Sequence, residues 1–221
     1  MMTGMRMMPG FERQPYVQSV YWILKNFYGL LRIKQRTGNL TGIRILEGMA
    51  MFGNKQNKND KDLLIFLDID GVLNTSDSFN TKYELHSNNL DALADLISSG
   101  KKKGFIGKVV LISTWRLGYV ADYDKCSPQV KNLVNKLSER GIPILGKTPI
   151  YKDKTRDVEI LRYIREYSLY NGSFTYITLD DDLSIYDRGK LGDINLYKVN
   201  QNTGLVKSDV AKIMKTFGAE M

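Results

Sequence analysis

The chain has 221 residues, 43% hydrophobic and 25% charged, which is enough apolar material for one filled core plus an appendage and excludes a disordered chain. Its single cysteine, Cys126, excludes an internal disulfide and multi-cysteine zinc sites, and fits a reducing, cytoplasmic setting. The formal net charge of +8 points to an anionic partner: nucleic acid, a membrane surface or an acidic protein.

That charge is unevenly spread. Up to Asp60, nine Lys and Arg stand against Glu12, Glu47 and Asp60, so six of the eight excess charges lie there. Apolar residues at Val17, Val20, Tyr21, Leu24, Phe27, Tyr28 and Leu31 recur at helical spacing and predict a helix over 16–34, with Gly29 weakening it. A second short helix is expected over 43–51 after the turn signals Gly38-Asn39 and Thr41-Gly42. Such a pair reads first as a hairpin docked on the domain or on a second copy, and second as a contact for membrane or nucleic acid. The polar run Gly53 to Asp62 reads as a linker, which divides the chain into a basic helical extension, 1–60, and a domain, 61–221. No stretch has the length and apolarity of a membrane helix, and no cleavage pattern of a secretory signal follows the N-terminus.

Leu63-Leu64-Ile65-Phe66-Leu67 is an unbroken apolar run, as expected of a strand buried on both faces in the middle of a parallel sheet. It ends in Asp68-Ile69-Asp70-Gly71-Val72-Leu73, where two carboxylates two residues apart point the same way and a glycine lets the chain turn. The carboxyl ends of such strands are where open α/β sheets keep their active sites. A bare Asp-x-Asp-Gly turn is unspecific, but the whole string resembles the first motif of the haloacid dehalogenase (HAD)-like phosphohydrolases. The expected fold is therefore a doubly wound, Rossmann-like α/β domain with a parallel sheet.

Downstream, Ser87 is expected to cap a helix with Leu90, Leu93, Ala94 and Ile97 facing inward. His86, the only histidine, reads as a loop residue with no partner ligands, and Lys101-Lys102-Lys103 as a solvated turn. Val109-Val110-Leu111-Ile112 predicts a second buried strand running into Ser113-Thr114-Trp115-Arg116. The resemblance implies a hydroxyl here that holds a phosphoryl oxygen: Ser113 first, Thr114 if the register slips by one. Strand-Ser-Thr-Trp-Arg is similar to the HAD domains of Swiss-army-knife RNA repair proteins, and Arg116 then either faces the phosphate or forms a salt bridge.

Ser127-Pro128 opens a further helix that Gly141 ends, and Ile142 to Leu145 predicts a third strand, after which Gly146 to Pro149 turn the chain. Cys126 has no evident general base and reads as inert. A helix is expected from Thr155, and the resemblance implies a cation near its start: Arg156, with Lys154 and Lys147 as rivals. Phe174 to Leu179 predicts a fourth strand, ending in Asp180-Asp181-Asp182, three carboxylates that repel unless a cation relieves them. The resemblance makes this the fourth motif, Asp180 and Asp181 completing a magnesium site with Asp68 and Asp70, and Asp182 and Asp187 lying further out. A fifth strand over 194–199 and a last helix capped by Ser208 complete the pattern.

The resemblance covers about Leu63 to Phe217 and implies a two-step phosphoryl transfer, with Asp68 as nucleophile, Asp70 as acid and base, Ser113 and Arg156 on the phosphate and Mg²⁺ as cofactor. The core helices and strands use up the residues between motifs, which leaves no room for a cap domain and favours a large or protruding substrate such as an RNA or DNA end. The other readings are a phosphatase for small metabolites or phosphoproteins, and a non-catalytic nucleic-acid-binding module.

Overall fold

The computed structural model describes residues 60–75, 84–152 and 154–217. The two helices predicted over 16–34 and 43–51 lie outside the described residues, as does the linker up to residue 59. Five strands form one all-parallel sheet: β1 (Lys61–Leu67), β2 (Phe105–Leu111), β3 (Ile144–Lys147), β4 (Phe174–Asp180) and β5 (Leu196–Lys198), in the order β3-β2-β1-β4-β5. Among the described residues four α-helices accompany them: α1 (Ser87–Lys102), α2 (Pro128–Ser138), α3 (Arg156–Ser168) and α4 (Lys207–Thr216). The fold is thus the doubly wound α/β type that the sequence predicts.

β1 is central because nothing in it demands water. Leu63 through Leu67 are fully buried, and each such side chain contributes about 1.5–3 kcal/mol by leaving solvent. The alternation of a strand sends Leu63, Ile65 and Leu67 into the layer packed by α1, α2 and α4 and Leu64 and Phe66 into the layer packed by α3. Phe66 meets Tyr163 of α3 edge to face, with ring centroids 5.7 Å apart. Among the described residues, the chain between β1 and β2 and between β2 and α3 is spent on core helices, strands and short turns.

Several element ends differ from expectation. Asp62, read as linker, lies inside β1, where Lys108 and Tyr167 take its two oxygens. β3 starts at Ile144 and not Ile142, because the Ile142 N–H is used on Leu137 O to close the C-terminal turn of α2, and it runs through Gly146 to Lys147. β5 is shorter than 194–199. Ser87 does not cap α1: the cap position is His86, and the Ser87 hydroxyl accepts from Arg140 instead. Ser208 does not cap α4 either. There the cap is Val206, whose N–H donates to the Asp209 carboxylate at 3.2 Å. Ser127 and Pro128 open α2 as predicted.

No helix among the described residues is long and apolar enough to cross a membrane.

Candidate active site

Parallel pairing brings the carboxyl ends of β1, β2 and β4 together, and the chain's acidic and hydroxyl residues sit there. The Asp68 N–H still pairs with Leu179 O of β4 at 3.0 Å, so the first aspartate is the last residue held by the sheet. Beyond it the chain folds into a turn in which Leu73 N–H donates to Ile69 O at 2.8 Å. Gly71 has a φ of +78°, and a Cβ there would fall 2.3 Å from the Asp181 carboxyl carbon. Both the backbone and the space require glycine.

Asp68, Asp180 and Asp181 converge, with one carboxylate oxygen from each lying within 4.8 Å of the others. Arg156, the first residue of α3, places a single nitrogen between two of them. Its Nη1 donates to Asp68 Oδ1 at 2.8 Å and to Asp180 Oδ2 at 2.7 Å. Tyr186 adds a hydroxyl donor to the same Asp180 oxygen at 2.6 Å, and the Asp182 N–H donates to Asp180 Oδ1 at 2.9 Å.

One guanidinium does not balance three carboxylates. Burial, then the charge of Asp180, push the Asp68 carboxyl up to about 8, against the partial relief of Arg156. Asp181 is raised for the same two reasons, burial and Asp180. Burial opposes the charge on Arg156, but Asp68 and Asp180 outweigh it and hold its pKa above the ordinary arginine range. Tyr186 is raised by burial and by Asp180, which fixes it as a neutral donor.

An all-oxygen set with excess negative charge, beside a backbone cradle that a Cβ would fill, fits a hard divalent cation such as Mg²⁺. Protons compete with the ion for such a site. The metal-free fold retains a proton on Asp68 that the unfolded chain releases near 3.8, so its stability falls as pH rises from about 4 through about 8. A divalent cation bound there would displace that proton. The rise in melting temperature on adding Mg²⁺ is therefore expected to be small at pH 6 and large at pH 8.5, as differential scanning fluorimetry across that range would show. An equal rise at both pH values would dissociate Asp68 from the ion.

The other predicted residues are placed as follows. Ser113 is buried at the end of β2, and its Oγ accepts the Trp115 N–H at 3.3 Å. Thr114 is exposed beside it, at the start of a short 3-10 helix, Thr114–Gly118. Asp70 is half-buried, with its Oδ1 bound by Asn74 and its Oδ2 by Trp115 Nε1. Arg116 is buried and forms a salt bridge to Glu159 of α3, Nη2 to Oε2, at 2.5 Å. Burial lowers its pKa and Glu159 works against that. The rivals to Arg156 lie elsewhere: Lys147 Nζ is bound to Arg116 O and Tyr119 O at 2.9 and 2.6 Å, and Lys154 is exposed. Asp182 and Asp187 cap short turns, accepting from the N–H groups of Ser184 and Gly189. Cys126 is buried, with its thiol directed at Val120 O.

Sequence reasoning missed three residues: Tyr186 on Asp180, Trp115 on Asp70 and Glu159 on Arg116. The one usable signal was Glu159, an acid one helical turn beyond Arg156 and next to the buried Ile160.

A family profile described as the HAD domain in Swiss Army Knife RNA repair proteins matches residues 64–210, about two-thirds of the chain. No curated protein matches the chain significantly. Because the match runs through every strand end that builds this site, the chain belongs to the family of HAD domains found in Swiss Army Knife RNA repair proteins, which are HAD-type phosphohydrolases in general.

Proposed function

We propose that the protein is a Mg²⁺-dependent phosphatase that works through an aspartyl-phosphate and acts on terminal phosphates of nucleic acids. The observation that carries the reading is Arg156 Nη1 lying 2.8 Å from Asp68 and 2.7 Å from Asp180, beside Asp181. A cation held between two carboxylates of an acidic cluster at the strand ends can meet an incoming phosphoryl group.

In this reading Asp68 Oδ attacks phosphorus and the ester oxygen leaves with a proton from Asp70. Asp70 then takes a proton from water as it attacks the acyl phosphate, which regenerates Asp68. Arg156 stays paired with the nucleophile and offsets the negative charge that the phosphoryl oxygens bring. Ser113 or Thr114 at the end of β2 supplies a hydroxyl to one of those oxygens, while Arg116, held by Glu159, supports the turn from inside. Asp68, Asp180, Asp181 and the Asp70 carbonyl would hold Mg²⁺. That ion supplies charge neutralisation, letting two anions approach each other.

The substrate class rests on three points: the +8 net charge, the absence of a cap element among the described residues between β1 and α3, and the RNA-repair proteins in which the family's domains occur. A polynucleotide bound to basic surface gains affinity by counterion release, which a mononucleotide with few charges cannot. A 3′- or 5′-phosphorylated oligonucleotide is therefore expected to lose phosphate with a higher kcat/KM than the matching mononucleotide. The preference should shrink as salt rises from about 50 to 200 mM. Phosphate release from both substrates with and without Mg²⁺, across that salt series, checks it. Equal rates at every salt concentration would return the assignment to a small-metabolite or phosphoprotein phosphatase. No release from these or from an aryl phosphate would favour a non-catalytic binding module.

A further inference from the structure

The Asp70 carboxyl is held at both oxygens. Asn74, four residues on in the same turn, donates from Nδ2 to Oδ1 at 2.9 Å. Asn74 is fixed in turn by the Gly71 N–H on its own Oδ1, also at 2.9 Å. The second carboxyl oxygen, Oδ2, accepts from Trp115 Nε1 at 3.0 Å. Trp115 comes from a different strand end, and the residue is 6% exposed, packed in the apolar layer that α1, α2 and α4 share. The indole cannot swing without disturbing that layer, so the direction of its N–H is set by the core.

An indole N–H donates and never accepts, so it serves Asp70 whether the carboxyl is charged or protonated. Each carboxyl oxygen has two acceptor positions, and the two donors leave one open on each. A proton can therefore pass through Asp70 while both donors stay in place.

We propose that Trp115 is a positioning residue for proton transfer: its indole N–H, with Asn74, fixes the Asp70 carboxyl in the orientation from which it protonates the leaving oxygen. This rests on the reading of Asp70 as acid and base given above. An alkoxide needs its proton as the P–O bond breaks, whereas a nitrophenolate leaves as a stable anion without one. A residue that acts only through Asp70 matters for the first and hardly for the second. A residue that merely supports the site matters equally for both.

The test compares Trp115→Phe, Asp70→Asn and the double variant on an alkyl phosphate and on 4-nitrophenyl phosphate, reading kcat/KM, which reports the steps up to phosphoenzyme formation. Trp115→Phe is expected to lower kcat/KM for the alkyl ester by about tenfold to a hundredfold, the range for losing a hydrogen bond to a charged group. For the aryl ester the loss should be at most about threefold, well below that range. In the Asp70→Asn background Trp115→Phe should add nothing. Equal losses on both esters, or additive losses in the double variant, overturn the role of Trp115. If Asp70→Asn itself loses both esters alike, the reading of Asp70 fails first and takes the proposal with it.

Replacing Trp115 by 3-benzothienylalanine, the same shape without the N–H, separates the donor from the packing. It is expected to reproduce the selective loss, and normal rates there overturn the proposal even if the phenylalanine variant does not fold. A readout independent of turnover uses the fact that the chain has two tryptophans, Trp22 and Trp115. Of their two indole N–H resonances, one is expected to move and lose exchange protection in Asp70→Ala; two unmoved resonances would overturn the hydrogen bond.

Discussion

Asp68→Asn is expected to lower turnover by on the order of 10⁴-fold or more, as removal of a covalent nucleophile does, and to leave the fold intact. An amide nitrogen does not attack phosphorus, yet asparagine keeps an Oδ1 that can accept from Arg156, as Asp68 does at 2.8 Å. Asparagine also mimics the neutral carboxyl that burial favours below about pH 8. The metal-free melting temperature at neutral pH should therefore stay within about 2–4 °C of wild type, a change of no more than about 1 kcal/mol. The stabilisation by Mg²⁺ at higher pH should disappear. Single-turnover phosphate release and acid-quenched trapping of labelled phosphoenzyme check the chemistry. Near-normal turnover in the variant would overturn the covalent mechanism.

Glu159→Ala carries the largest expected effect on stability. It leaves the Arg116 guanidinium, which is 6% exposed, as a buried charge without its carboxylate. It also frees the Tyr151 N–H that Glu159 Oε1 accepts at 3.0 Å. Breaking one side of such a pair costs about 3–5 kcal/mol, mostly through the charge left behind. For a domain of this size that is a fall of roughly 10 °C in melting temperature. Glu159→Leu combined with Arg116→Met should recover much of the loss, because an apolar pair of similar volume leaves no stranded charge. Urea titration of the two variants against wild type measures it. The double variant also separates the two readings of Arg116: a phosphate ligand would lose activity with stability restored, and a structural partner would recover both.

The sequence speaks clearly where one physical cause governs. Leu63 to Leu67 could only be a strand buried on two faces, and acids following such a strand could only sit at the end of the sheet. Asp68, Asp180 and Asp181 were legible for that reason, whereas Arg156 followed from the family resemblance, with Lys154 and Lys147 as rivals. The parts that were not legible depend on partners far away in the chain. Asp62 looks like linker because it is charged, yet Lys108 and Tyr167 bind both its oxygens within the sheet. Ser87 and Ser208 carry the composition of helix caps, but Arg140 claims the first hydroxyl, and Asp209 provides the capping bond for the second helix. Trp115 stands in the Ser-Thr-Trp-Arg string with no role of its own; it is buried in the core, and its indole nitrogen reaches Asp70, 45 positions away. No local pattern encodes a contact of that kind.

The pairing of β1 with β4, Leu67 opposite Leu179, joins segments about 110 residues apart. Parallel pairing over that distance costs loop entropy before any contact repays it, and it forms late. During synthesis β1 has no neighbour on that side until β4 follows, so the nascent chain carries that apolar edge uncovered while about 110 further residues are added. Asp180 and Asp181 arrive with that same closing strand. The carboxylate cluster therefore cannot exist before β4 is made, and an ion held by it would be a sign that β4 has paired with β1.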